Sequence, residues 1–147
     1  VGTREELAVF FREIQPKFAR LYAKILHDAD LTLPQYALLN QLEFLGPVSM
    51  TEMSERLQIT RPAVTSLVDR LEKKKLLKRV PHPKDRRIIL LDILPKAKKM
   101  VAGFQTYSLN LLFKAYDQFA PAEHATISRF YATLSKAMDD FLAREKK

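Results

Sequence analysis

The sequence predicts a mainly α-helical fold carrying one small β-hairpin. Three observations predict it. Apolar residues recur at steps of three and four along most of the chain. After the fourth helical stretch the pattern switches to two short strand-like runs, LLKRV and IILLDI, around the charged turn PHPKDRRI. Only three glycines interrupt 147 residues, too few for a loop-rich fold.

The first helix covers residues 4–27, where Leu7, Phe10, Phe11, Ile14, Phe18, Leu21, Tyr22 and Ile25 make one wide apolar stripe. DADLTLP interrupts it. Thr32 then caps a second helix with Pro34 in its first turn, and Tyr36, Leu39, Leu42 and Leu45 share a face until Gly46-Pro47 stops it. Ser49-Met50-Thr51-Glu52 has the capping-box spacing and opens a short helix burying Met53 and Leu57. Gln58-Ile59 is a tight connection to Thr60, the cap of a helix over 61–75 with Val64, Leu67, Val68 and Leu71 inward. A short helix, a brief turn and a longer helix make a helix-turn-helix, and the hairpin that follows is a wing. Pro95 starts a fifth helix, residues 95–119, with Val101, Phe104, Leu111, Leu112 and Phe119. Pro121 breaks it, and residues 122–145 form the last helix with Ile127, Phe130, Tyr131, Leu134, Met138, Phe141 and Leu142 on one face. The expected order is helix ×4, hairpin, helix ×2, in a single domain over 1–147.

Composition narrows the function classes. There is no cysteine, which removes disulfides, thiolate metal sites and thiol redox sensing. No apolar run reaches the length of a membrane span and no signal-peptide pattern is present, so the expectation is a soluble cytoplasmic protein with no membrane partner. The chain opens Val-Gly without Met, and nothing rests on those residues. The net charge is +8, and residues 61–99 hold 13 Lys/Arg against 4 Asp/Glu. The whole excess therefore sits in one block, as expected of a surface that meets phosphate.

Helical geometry gives that block a shape. With Val64 inward, Pro62, Thr65, Ser66, Asp69 and Lys73 fall on the opposite face of the fourth helix, flanked by Arg61, Ala63 and Arg70. The N-terminal end of this face is small and hydroxyl-bearing, suited to a major groove. Arg61 suits guanine O6/N7, and the methyls of Thr65 and Ala63 suit thymine. Asp69 is repelled by phosphate and is expected to pair with Lys73, four residues on. At the hairpin tip Lys84, Asp85, Arg86 and Arg87 stand together, with Asp85 placed to hold the Arg87 guanidinium in one direction across an adjacent minor groove. Ser49, Thr51 and Thr60 complete the candidate DNA-contacting set.

The stretch LTLPQYALLNQLEF…MSERLQITRPAVTSLVDRLEKKKLLKRVPHPKDRRIILLDILPKAK resembles the MarR family of winged helix-turn-helix transcription regulators. The specific part is VTSLVDRLE followed by a hairpin with D-x-R at its tip. With the helix order, the resemblance covers essentially the whole chain. It implies a homodimer through the terminal helices (1–31 and 95–147) around a DNA-binding part (32–94). It also implies a recognition helix in the major groove and, by the D-x-R match, Asp85 orienting an inserted Arg87. Release of DNA by a small aromatic or lipophilic anion is a common family property. Two positions depart from the pattern: Lys75 stands where many members have Gly, and Leu94 where many have Thr.

The expected function is thus a sequence-specific DNA-binding regulator, a repressor, acting on a pseudo-palindromic operator. The alternative is a sequence-neutral architectural DNA binder without a ligand. An enzyme is not expected: His27, His82 and His124 are scattered, no nucleophile, P-loop or dinucleotide motif is present, and HDAD at 27–30 reads as a solvated loop before it reads as a metal site. No cofactor and no metal are expected. Leu7, Phe10, Phe11, Phe130, Tyr131, Leu134, Met138 and Phe141 are the candidate dimer core. Phe18, Tyr22, Tyr36, Phe44, Phe104 and Tyr107 are the candidate ligand lining, although aromatic stripes at this spacing are more often core.

Overall fold

The computed structural model describes residues 2–145. Its elements are α1 (Arg4–Asp28), α2 (Leu33–Leu45), β1 (Val48–Ser49), α3 (Met50–Leu57), α4 (Arg61–Lys73), β2 (Leu77–Pro81), β3 (Ile89–Ile93), α5 (Pro95–Tyr116) and α6 (Pro121–Arg144). This is the expected helical order with its hairpin, plus one strand the sequence did not announce. β1 is two residues long and pairs antiparallel with β3, Val48 opposite Leu91 and Ser49 opposite Leu90, giving a three-stranded sheet ordered β1-β3-β2. Two residues carry no periodicity, so nothing in the pattern distinguishes β1 from a loop.

The chain forms two compact units, one up to Phe104 and one from Gln105 onward. The first contains the hydrophobic core. Leu38, Leu39 and Leu42 of α2, Met53 of α3, Val64, Val68 and Leu71 of α4, and Leu91 of β3 are fully buried. Leu77 and Ile93, opposite one another in the β2–β3 ladder, close the core from the sheet side, while their neighbours Lys78 and Asp92 face outward and pair at 4.0 Å. That alternation is the half-buried strand pattern. Leu67 and Leu57 pack at the edge of this core and are only partly buried.

Caps fix where the helices begin. Thr3 and Gln35's partner Thr32 form full capping boxes, Thr3 with Glu6 and Thr32 with Gln35. The box expected at Ser49 is half made. The Ser49 hydroxyl accepts from the Glu52 N–H at 3.1 Å, but the Glu52 carboxylate turns to Arg56 at 3.2 Å, an ion-pair partner one turn on. α5 begins after Leu94, which has no side-chain oxygen to offer the first turn; its N–H donates to the Leu76 carbonyl and carries the strand pairing up to the helix. α4 ends at Lys73, earlier than expected, because Lys75 turns into the left-handed region at φ 58°. Asp30 (φ 52°) and Gln58 (φ 55°) do the same at the α1–α2 and α3–α4 connections. Lys74 ties two of these turns together by reaching the Asp30 carbonyl and, at 3.3 Å, its carboxylate.

The long helices differ from the core in one respect. Of the 25 residues of α1 only Leu26 is buried, and none of the 24 residues of α6 is. Among the described residues no helix is long and apolar enough to cross a membrane.

Candidate nucleic-acid interface

α4 is the element the sequence marks out, and its start is set by Thr60, whose hydroxyl accepts from the Ala63 N–H at 3.3 Å. Burial of Val64, Val68 and Leu71 fixes the rotation of the helix about its axis. Arg61, Pro62, Thr65, Ser66, Asp69 and Arg70 are thereby exposed, and Ala63 is partly so. The Thr65 hydroxyl is used within the helix, donating to the Arg61 carbonyl at 3.1 Å, so its methyl is what remains for outside contact. Ser49 caps α3 and is partly buried, and Thr51 is exposed beside it.

Between the N-terminal end of α4, the start of α3 and the wing lies an open groove of about 390 Å³, lined by Ser49, Met50, Thr51, Arg61, Thr65, Arg79, Arg87, Ile88 and Ile89. Arg61 and the solvent-open Arg87 give this concavity cationic groups complementary to phosphate oxygens, while the Arg79 guanidinium is engaged by Asp69 and Glu72. The structure therefore brings Ser49, Thr51, Arg61 and Thr65 of α3 and α4 together with Arg87 of the wing. Pro62, Ala63, Ser66 and Arg70 lie on α4 outside the groove lining, and Lys84 and Arg86 are exposed on the tip.

Arg79 is the member that sequence reasoning missed, and it corrects the pairing expected for Asp69. Asp69 does not pair with Lys73. Arg79 Nη2 lies 2.6 Å from Asp69 Oδ1, Arg79 Nη1 lies 2.6 Å from Glu72 Oε1, and the Arg79 N–H donates to Glu72 Oε2 at 3.3 Å. Position 79 shares a strand face with the buried Leu77, so its side chain is directed at α4, where a planar fork satisfies two carboxylates one turn apart. The Asp69 hydrogen bond is the main reason that the Arg79 guanidinium holds its proton more tightly than usual. The readable sign was the acidic pair at spacing three, Asp69 and Glu72, inside an otherwise basic block. The clamp fixes the wing to α4 and offsets two negative charges that phosphate would repel.

At the wing tip the Asp85–Arg87 pairing is bidentate. Arg87 Nε donates to Asp85 Oδ1 and Nη2 to Oδ2, both at 3.0 Å, and the Arg87 N–H also donates to Oδ1 at 3.0 Å. Those bonds, the side-chain ones first, hold the Asp85 carboxyl below the usual carboxylate range, and the same pairing raises the Arg87 guanidinium. Arg87 keeps 89% of its side chain open while its direction is fixed.

The aromatic candidates divide. Phe18, Tyr22, Phe104 and Tyr36 form a continuous stack with centroid separations of 6.2, 5.2 and 4.2 Å. Burial, and then Tyr22, push the Tyr36 hydroxyl to a higher pKa. Phe44 is not brought into the stack: it is 85% exposed at the end of α2. Tyr107, also exposed, belongs to the second unit. The dimer candidates Leu7, Phe10 and Phe11 on α1, and Phe130, Tyr131, Met138 and Phe141 on α6, are exposed, and Leu134 is partly buried. The 27–30 segment does not gather as a metal site. Asp28 pairs with Lys24 and Asp30 with Lys74, and no metal-binding cluster occurs among the described residues.

Comparison with known proteins gives a consistent result. A family model described as MarR family matches residues 29–88. The HTH-type transcriptional repressor MdtR of Bacillus subtilis (strain 168) is 30% identical over 125 residues, covering 82% of this chain and 78% of MdtR. Among solved structures, a MarR family protein from Bacillus stearothermophilus superposes with TM-score 0.76 at 24% identity, covering 92% of this chain and 94% of that one. A mutant of S. aureus MepR bound to an oligodeoxyribonucleotide superposes with TM-score 0.69 at 23% identity, covering 92% and 97%. At these identities the structural likenesses speak to the fold.

Proposed function

Since the chain belongs to the MarR family of transcriptional regulators, we propose that it binds a pseudo-palindromic operator as a homodimer and represses transcription there. It is a regulator and not an enzyme. The observation that carries the reading is the groove between α4 and the wing, where Arg61 and Arg87 converge beside a helix end of small and hydroxyl-bearing residues. In this reading α4 enters a major groove. Arg61, Ala63, Thr65 and Ser66 face bases, with Pro62 fitting close to the groove floor. Thr60, Arg70, Ser49, Thr51, Lys84 and Arg86 meet the backbone. Arg87, aimed by Asp85, lies in the flanking minor groove. Residues 32–94 do the binding, and 1–31 with 95–147 join two copies. Repression is supported by the name of MdtR.

Relief by a small aromatic or lipophilic anion is a further part of the reading. It is supported by the Phe18–Tyr22–Phe104–Tyr36 stack, which is open at its Phe18–Tyr22 end, and by the absence of any thiol to serve instead.

Selection of bound duplexes from a random pool tests it. Enriched sequences should show a dyad with half-site centres about 10 base pairs apart. Repeating the selection with aromatic carboxylates should reduce recovery. Enrichment without a dyad, with equal affinity for all duplexes at fixed salt, points instead to sequence-neutral binding.

A further inference from the structure

The proposed DNA contacts give no role to His82 of the wing tip. Its Nδ1 accepts two main-chain hydrogen bonds, from the N–H of Lys84 at 3.1 Å and from the N–H of Asp85 at 3.3 Å. The main-chain N–H of His82 donates to the Ile88 carbonyl at 2.9 Å and closes the base of the turn, while the Ile88 N–H donates to the Asp85 carbonyl at 3.0 Å. Pro83 has no N–H to offer. The ring nitrogen is thus the acceptor around which the backbone into Asp85 is folded, and Asp85 in turn grips Arg87.

A ring nitrogen accepts only while it carries no proton; an imidazolium donates from both nitrogens. The charged groups facing the ring are few. Asp85 is near enough for the two to act on each other electrostatically. Lys84, Arg86 and Arg87 share the turn. Of the flanking strands, Arg79 of β2 is engaged by Asp69 and Glu72, and Asp92 of β3 is paired with Lys78. Arg61 of α4 and Arg87 line the same groove.

We propose that neutral His82 is a positioning residue for Arg87, folding the tip so that Asp85 aims the guanidinium, and that protonating His82 releases the tip and weakens DNA binding. The proposal rests on reading the tip as a DNA contact. Acidification sets two effects against each other. An added positive charge strengthens attraction to phosphate. Loss of the acceptor turns an N–H towards two other N–H groups, and the new donor competes with Arg87 for Asp85. The second effect prevails where the use of Arg87 depends on its direction. The Asp85–Arg87 pair does not blur the result. A carboxyl held below its ordinary value contributes fully above the ordinary carboxylate range, and that contribution is lost only as pH falls through the lowered value, well below the imidazole range.

The test uses the full chain as wild type, His82→Asn and His82→Ala, between about pH 8 and pH 5.5. Asn puts a carbonyl oxygen close to the position of Nδ1 and does not titrate. In amide NMR of the free protein, the Lys84 and Asp85 N–H signals should move together with pH in the wild type and stay fixed in His82→Asn. Duplex affinity at constant ionic strength should fall about threefold to tenfold on acidification in the wild type, the size expected for one or two ordinary hydrogen bonds. It should stay level in His82→Asn and be weak at both ends in His82→Ala. Wild-type affinity that rises on acidification, or His82→Asn following the wild-type curve, overturns the proposal. If no duplex is bound at any pH, the DNA reading fails separately. The amides still decide the positioning role, since Lys84 and Asp85 signals that ignore pH overturn it.

Discussion

Arg87 is held by three hydrogen bonds to one carboxylate and is otherwise open to solvent. An arginine pre-set in this way loses less rotamer freedom on binding. Arg87→Ala should weaken binding to the best duplex by about tenfold to a hundredfold, more on A·T-rich flanks than on G·C-rich ones, when measured by fluorescence anisotropy at fixed salt. Asp85→Ala separates two accounts. Electrostatics alone predicts tighter binding because a negative charge is lost; orientation predicts weaker binding, with little added effect once Arg87 is gone. A double-mutant cycle that gives tightening would reduce Arg87 to a loose phosphate contact. Arg79 makes the converse prediction. Arg79→Met strips the cover from Asp69 and Glu72 and should weaken duplex binding, and adding Asp69→Asn with Glu72→Gln should recover part of the loss. The D-x-R tip was legible because both partners lie two residues apart. The Arg79 clamp was not, because its partners lie seven and ten residues away and only the folded strand brings them together.

Helices were legible wherever an apolar stripe, a cap and a breaker agreed, as at Thr32, Pro34 and Gly46 around α2. Legibility stopped at ends decided by tertiary partners. The two-residue β1 exists only because β3 offers it an edge, and α5 starts on a backbone bond to Leu76. Lys75 shows how a departure in sequence becomes a backbone cost. At φ 58° it occupies a conformation that costs an L-residue about 1–2 kcal/mol and glycine nothing. Lys75→Gly should therefore raise stability by about 0.5–1 kcal/mol after the extra chain entropy of glycine. The urea midpoint should move up with its slope unchanged. A lower midpoint would mean that the Lys75 side chain makes contacts worth more than the strain. The αL residues at Asp30 and Gln58 had no such mark, since short polar residues in a connection look alike whatever their φ.

At the scale of the molecule, one core is shared by α2, α3, α4, the sheet and the first half of α5, while α1 and α6 leave Phe10, Phe11, Phe130, Tyr131 and Phe141 at least half exposed. Light scattering at micromolar concentration should give twice the mass of one chain; a uniform 17.0 kDa species would leave those stripes without an explanation. Which residues would meet a second copy was legible only as a surplus of apolar surface, because a sequence records a face to be covered and not what covers it. A helix of 24 residues with none buried has little tertiary support of its own. If its cover comes from a second copy, folding and pairing are one equilibrium and obey mass action. The thermal midpoint then rises with protein concentration, and dilution does more than separate subunits. It unfolds the end of the chain, so the half-life of the regulator in a cell becomes a function of how many copies of it are present.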